Sequence, residues 1–172
     1  MRAAILTLSD KGSRGERTDE SGPALVSWLE ERGVSILRAR VIPDEFEQIV
    51  ALLTEWADAD IADLILTTGG TGVSPRDVTP EATMQVCPRL IPGIGELMRL
   101  RSLEKTIMAP LSRGVGAIRR QTLIINLPGS PKGAVENLEA IWPTIGHAVE
   151  KIRGGEDDCG GKYHGAERLN LP

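Results

Sequence analysis

The sequence predicts an α/β domain built as three layers, α/β/α, around a mostly parallel central sheet. Strand-like and helix-like stretches alternate along most of the chain. The helix-like stretches are long enough to cross over a sheet and return to a neighbouring parallel strand. Glycine and proline cluster at strand-to-helix junctions, most densely at residues 69–72 and 128–131.

Residues 3–8 are apolar apart from Thr7 and read as the first strand. Residues 22–31 place Leu25, Trp28 and Leu29 at helical spacing and stop at Gly33. Residues 34–42 read as the second strand, with Val34, Ile36, Val41 and Ile42 apolar. Residues 44–56 follow as a helix whose Phe46, Ile49, Val50 and Leu53 share one face. The apolar run from Ala62 to Leu66 reads as a buried third strand at residues 64–68. A short helix is expected at residues 81–86, with Thr79 as hydroxyl N-cap, Pro80 at the first helical position and Glu81 in the first turn. Residues 93–103 form another helix, with Ile94, Leu97, Met98 and Arg101 in register. Residues 121–127 are a further strand, and residues 134–152 a long final helix. Residues 1–152 therefore read as one domain. Residues 153–172, with Gly154, Gly155, Gly160, Gly161 and Gly165, read as a loosely ordered glycine-rich tail.

Composition narrows the classes of partner. A length of 172 residues suits a single domain able to bury a core without a disulfide or metal staple. Twenty basic residues against 24 acidic ones leave a net charge of −4 and a pI near 5.3, which argues against nucleic acid or a membrane surface as the partner. Aromatic residues make up only 3%, too few for platforms on which bases stack. No apolar run approaches the ~18 residues of a membrane span, and residues 1–8 read as a strand rather than a leader. Cys87 and Cys159 form no disulfide or zinc spacing. The expected setting is the cytoplasm.

The most informative segment is residues 67–83, Thr-Thr-Gly-Gly-Thr-Gly-Val-Ser-Pro-Arg-Asp-Val-Thr-Pro-Glu-Ala-Thr. Gly69, Gly70 and Gly72 stand at the carboxyl end of a strand, where the lack of a Cβ lets backbone N–H groups approach an anion closely. Arg76 fits a phosphate in that setting. Asp77 does not, unless a metal ion lies between its carboxylate and the phosphate. Residues 126–133 repeat the pattern: a strand, Gly129, Ser130 as N-cap, Pro131 at the first helical position, then Lys132. A helix N-terminus there offers free N–H groups and a partial positive charge. Neither segment is a Walker A loop or a dinucleotide fingerprint. If the strands are parallel, Ser9-Asp10, Asp44, residues 69–77 and residues 128–132 all open on one sheet edge, where open α/β sheets bind ligands.

Four stretches carry a family resemblance. Thr68-Gly69-Gly70-Thr71-Gly72 with Arg76-Asp77-Val78-Thr79-Pro80-Glu81 resembles the signature of the molybdenum cofactor biosynthesis family, the molybdopterin-binding domains. Leu8-Ser9-Asp10 with Asp19-Glu20-Ser21-Gly22-Pro23, Val41-Ile42-Pro43-Asp44, and Asn126-Leu127-Pro128-Gly129-Ser130-Pro131-Lys132-Gly133 complete it, in the order the family uses. In size and pattern the chain is similar to the family's stand-alone adenylyltransferases. The resemblance implies binding of molybdopterin and of ATP with Mg2+. It also implies attack of the molybdopterin phosphate on the α-phosphorus of ATP, giving adenylylated molybdopterin and pyrophosphate. Asp77 and Asp44 are the implied catalytic and magnesium-binding carboxylates, with Asp10 as a third candidate. Arg76, Lys132 and the N–H groups of Gly69, Gly70, Thr71, Gly72, Gly129 and Ser130 would receive phosphates, with Ser9, Thr68 and Pro128 completing the substrate-binding set. A homotrimer and a downstream molybdenum-insertion protein are further implications. The alternative is a non-catalytic molybdopterin-binding or regulatory module of the same fold. Which loop holds the nucleotide and which the pterin stays open.

Simpler roles compete for several of these residues. Asp44 with Glu47 three places on makes nearly a capping box, and Ser130 can be only a cap. Lys132 can be a solvated lysine. Ser9, Asp10 and Asp19 can organise a turn around Gly12 and Gly15. Trp28, Trp56 and Trp142 lie on apolar helix faces and read as core. Asp157, Asp158, Cys159 and His164 read as tail residues rather than a metal site.

Overall fold

The computed structural model describes residues 1–155, and the tail residues Asp157, Asp158, Cys159 and His164 lie outside them. The chain runs β1 (Arg2–Leu8), α1 (Asp10–Ser13), α2 (Ser21–Glu30), β2 (Ser35–Ile42), α3 (Phe46–Asp58), β3 (Leu64–Thr68) and α4 (Thr79–Val86). It continues through β4 (Arg89–Leu90), α5 (Pro92–Leu103), a 3₁₀ turn (Ala109–Leu111), β5 (Gly116–Arg119), β6 (Thr122–Leu127) and α6 (Pro131–Ile152). The strands form one sheet in the order β2-β1-β3-β6-β5-β4. β2, β1, β3 and β6 are mutually parallel, and β5 runs antiparallel to both β6 and β4.

The core follows from strand alternation. Ala3, Ile5, Leu64, Leu66, Leu123 and Ile125 face one side of the sheet and pack under α2, α5 and α6 through Leu25, Met98, Leu138 and Ile141. Ala4, Leu6, Ile65 and Ile124 face the other side, under α3 and α4, and meet Ile49, Leu53, Trp56 and Ala82. The three-layer α/β/α expectation holds. Each of the central strands β3 and β6 is buried along its whole length, which is why each carries an apolar run, residues 64–66 and 123–125, with buried Thr67, Thr68, Thr122 and Asn126 at the ends. Trp28 and Trp56 are buried as expected, and Trp142 meets Trp28 edge-on with ring centroids 5.0 Å apart.

Two helix starts differ from expectation. Thr79 is the first residue of α4 rather than its cap: its hydroxyl donates to the Gly69 carbonyl (3.0 Å) and its N–H to the Gly70 carbonyl (3.1 Å). The hydroxyl thus ties the helix to the glycine turn. Asp44 does not cap α3, whose N-cap is Glu45 without a side-chain bond. The α6 start is as expected, with the Ser130 hydroxyl accepting from the Gly133 N–H at 3.2 Å and Pro131 opening the helix. At its far end Arg153 pairs with Asp60 (2.9 Å) and Asp63 (3.0 Å), fastening α6 to the turn before β3, where Arg2 of β1 pairs with the same two acids. No helix among the described residues is long and apolar enough to cross a membrane.

The chain leaves β1 through α2 towards β2, whereas from β3 it proceeds through α4 towards the opposite edge. The connections therefore diverge between the carboxyl ends of β1 and β3. Such a divergence opens a crevice at the sheet edge.

Candidate functional site

A cleft of about 850 Å³ occupies that position. Its floor is the carboxyl ends of the parallel strands, Thr7 and Leu8 from β1, then Gly69 and Gly70 after β3. Ser9 and Gly12 come from the turn after β1, Asp44 from the turn after β2, Asp77 from the loop before α4, and Gly129, Ser130 and Pro131 from the start of α6. Residues 17–21 close one side, and Arg17 brings a positive charge to the lining.

Backbone proximity dictates the glycines. Gly69 has φ +104°, and a Cβ there would stand 2.3 Å from the Leu8 carbonyl oxygen of the neighbouring strand. Gly70 has φ +62°, and its Cβ would meet the Thr79 hydroxyl at 2.3 Å and Asp44 Oδ1 at 2.9 Å. Only glycine combines that backbone with that closeness. The result is a bare peptide surface beside the Asp44 carboxylate.

Asp44 is held by Asp10, from the turn after the neighbouring strand β1. Its Oδ2 accepts the Asp10 N–H at 3.0 Å, and its own N–H donates to Asp10 Oδ1 at 3.1 Å. Burial holds the Asp44 carboxyl above its ordinary range, the like charges of Asp10 and Asp77 push it the same way, and the Asp10 N–H opposes them. Asp77 accepts the Ser74 N–H on Oδ2 at 2.8 Å. Among the described residues the ion pairs of this region are made by neighbouring acids instead, Asp10 and Glu45, both with Arg76. The Gly69 N–H is taken by the Leu127 carbonyl at 3.2 Å, so Gly69 offers the cleft its bare backbone rather than a donor. Asp44 and Asp77, two half-buried carboxylates that form no ion pair among the described residues, suit a divalent cation that phosphate oxygens help to bind. No cluster of three or more potential protein ligands lies among the described residues. The donor set therefore fits magnesium, which takes one or two carboxylates and substrate oxygens, and does not fit a closed all-protein metal cage.

Not every expected residue reaches the cleft. Arg76 donates to Asp10 (2.7 Å) and Glu45 (2.8 Å), so it latches three loops together and is not among the residues that line the cleft. The Arg76 bond holds the Asp10 carboxyl below its ordinary range, and Asp10 is not among the residues that line the cleft. The Lys132 side chain is 85% exposed and stands 4.0 Å from Glu136, one turn along α6, where the acid draws it off the helix end. Thr68 is buried and donates to the Pro128 carbonyl at 2.6 Å, coupling the two glycine-bearing loops. Thr71 and Gly72 serve through their carbonyls, which accept from the Arg113 N–H (2.9 Å) and Arg113 Nε (2.6 Å). Cys87 is buried, and burial pushes its thiol up to about 11, so it offers no thiolate.

Residues 4–147 match the family model described as "Probable molybdopterin binding domain". The chain belongs to that family. A relative from Helicobacter pylori (strain J99) named molybdopterin adenylyltransferase is 44% identical over 152 residues, covering 87% of this chain and 86% of its own length. An Escherichia coli K12 protein of the same name is 45% identical over 151 residues, covering 87% and 77%. The solved structure of the molybdopterin biosynthesis enzyme MoaB from Thermus thermophilus is 52% identical, with a TM-score of 0.84 over 89% of this chain and 96% of that one.

Within this molybdopterin-binding fold, two parts of the site escape the sequence reading. One is the wall at residues 17–21. Asp19 accepts from Ser21 N–H (3.0 Å), Gly22 N–H (3.1 Å) and the Thr7 hydroxyl (2.7 Å), capping α2 against β1. The stretch from Asp19 to Pro23 is the signal that points there. The other is Arg113, which lies in an irregular segment and has no motif to mark it.

Proposed function

We propose that this protein transfers the AMP moiety of ATP to the terminal phosphate of molybdopterin. A molybdopterin phosphate oxygen attacks the α-phosphorus, the bond from that phosphorus to the bridging oxygen breaks, and pyrophosphate leaves with the electron pair. The observation that carries this reading is the meeting of Asp44 and Asp77 with the peptide surface of Gly69 and Gly70 and the start of α6 in one cleft.

The chemistry suits those groups. A phosphate monoester is ionised at neutral pH and needs no protein base, so the work is positioning two polyanions and stabilising charge on the leaving group. The N–H groups of Gly70, Gly129 and Ser130 and those at the α6 N-terminus would bind and orient phosphates. Arg17 would offset the charge of a second polyanion. Asp44 and Asp77 would hold Mg2+, which supplies charge neutralisation on the phosphates when bound. Asp10 and Arg76 would act one step back, by holding Asp44 and the loop bearing Asp77. On this reading molybdopterin and ATP are the substrates; the family resemblance, rather than the cleft, supports a molybdenum-insertion protein as recipient of the product and a homotrimer in the cytoplasm as the working form.

Incubation with molybdopterin, ATP and magnesium, scored for adenylylated molybdopterin and pyrophosphate, tests the reading. Both products should appear in equal amounts. Molybdopterin binding without either product would identify a binding module instead.

A further inference from the structure

Arg113 lies between the 3₁₀ turn and β5, outside the four stretches that mark the family and outside the cleft lining. Its hydrogen bonds nevertheless converge on one loop. The backbone N–H donates to the Thr71 carbonyl, Nε donates to the Gly72 carbonyl at 2.6 Å, Nη2 donates to the Asp77 carbonyl, and Nη1 pairs with Glu81 in the first turn of α4. A single guanidinium therefore joins both ends of the segment from Gly72 to Asp77 and fastens it to the following helix.

Among the described residues, only Arg76 inside that segment reaches other loops, through Asp10 (2.7 Å) and Glu45 (2.8 Å), so Arg113 grips its two ends and Arg76 its middle. Val73 is 66% exposed, and residues 74–76 are exposed. Within it, the Asp77 N–H donates to the Ser74 carbonyl and Asp77 Oδ2 accepts the Ser74 N–H, so these bonds stay local to the turn. Asp77 Oδ2 stands only 2.8 Å from the point a Cβ on Gly72 would occupy, so the carboxylate packs directly on the Gly72 backbone. Arg113 grips the carbonyls of those same two residues. The planar guanidinium fork fixes two carbonyls and a carboxylate at once, which a lysine ammonium on a flexible stem cannot do in the same geometry.

We infer that Arg113 is a positioning residue that sets the Asp77 carboxylate for magnesium and phosphate. The inference rests on the proposed adenylyl transfer. Magnesium demands near-ideal geometry at ~2.0–2.1 Å, and a displacement of about 1 Å in a reacting group can cost ~100-fold in rate. An effect on Asp77 should therefore appear in turnover and metal dependence, leaving the affinity for molybdopterin intact.

The test compares wild type with Arg113→Lys and Arg113→Ala in three measurements: steady-state pyrophosphate release against magnesium and molybdopterin, Mn2+ affinity with a non-hydrolysable ATP analogue, and amide exchange of residues 73–77. For Arg113→Lys, kcat should fall at least ten-fold, and half-saturating Mg2+ and the Mn2+ dissociation constant should rise at least three-fold. KM for molybdopterin should stay within two-fold, and exchange at residues 73–77 should quicken. Added methylguanidine should restore part of the turnover of Arg113→Ala. Unchanged kcat and metal dependence in Arg113→Lys overturns the inference. So does a uniform loss in every parameter with a lowered melting temperature, or failure of both variants to fold, since each assigns Arg113 to the fold alone. Absence of pyrophosphate from wild type refutes the proposed reaction instead, while the exchange and Mn2+ measurements still judge Arg113.

Discussion

Gly70→Ala tests the steric logic of the cleft. The residue has φ +62°, a conformation that costs an L-residue about 1–2 kcal/mol. The new methyl would also stand 2.3 Å from the Thr79 hydroxyl, which is fully buried and donates to the Gly69 carbonyl. Pushing that hydroxyl aside leaves a buried donor or acceptor unpaired, a further ~1–3 kcal/mol. The total of roughly 2–5 kcal/mol is below the ~5–15 kcal/mol typical of a folded domain, so the variant should still fold. At about 2–4 °C per kcal/mol for a chain of this size, its melting temperature should drop on the order of 4–20 °C. Adding Thr79→Ala removes the clash but not the backbone penalty, so the double variant should lose less than the sum of the two single losses. Because the methyl would also lie 2.9 Å from Asp44 Oδ1, ATP affinity should fall in the variant that remains folded. Differential scanning calorimetry of the three variants, with isothermal titration of ATP and magnesium, reads both effects. A melting temperature within 2 °C of wild type for Gly70→Ala would refute the left-handed, crowded turn.

Asp77→Asn keeps shape and removes charge, so turnover should drop at least 100-fold, about 2.7 kcal/mol, with molybdopterin affinity and melting temperature near those of wild type; near-normal turnover at saturating magnesium would refute a metal role. Asp44→Asn separates stability from function. The folded carboxyl is raised above its unfolded value, so its favourable contribution is complete below the unfolded pKa and lost as pH rises through the folded one. At pH 7 the charged group therefore burdens the fold, while asparagine keeps an acceptor for the Asp10 N–H: the variant should melt higher than wild type at pH 7, by a margin that shrinks towards pH 3, and should be inactive. A lower melting temperature at pH 7 would contradict the burial argument. Lys132→Glu exchanges a contact with Glu136 for a like-charge pair, ~0.2–0.5 kcal/mol, against a gain of about 0.3–1 kcal/mol at the helix N-terminus. Melting should barely move and molybdopterin affinity should change less than three-fold; a ten-fold loss would place the lysine in the cleft.

The long elements were legible because their signals are local. β3 and β6 announce themselves as buried apolar runs, and the Ser130-Pro131 start of α6 carries its cap in consecutive residues. β5 and β4 were not, since strands of four and two residues contain too little pattern and owe their form to antiparallel pairing with β6 and β5. α1 is similar, a single turn made by the Ser9 hydroxyl accepting the Gly12 N–H. The turn around Gly12 was foreseeable; its helical form was not.

The candidate site divides along the same line. A glycine requirement is written at its own position, because a backbone that needs positive φ or close approach excludes other residues there, and Gly69 and Gly70 were found that way. Charge is different: its partner is chosen by loops that meet only in the fold. Arg76 reads as a phosphate ligand until Asp10 and Glu45, 66 and 31 positions away, are seen to claim it. Asp44 reads as a helix cap until Asp10 is found bonded to it in both directions. Arg113 bonds mainly to carbonyls, which every residue carries, and no sequence pattern can name such a partner. The residues proposed to carry anions and metal are thus partly visible in the chain. Those that aim them become visible only when the loops are brought together.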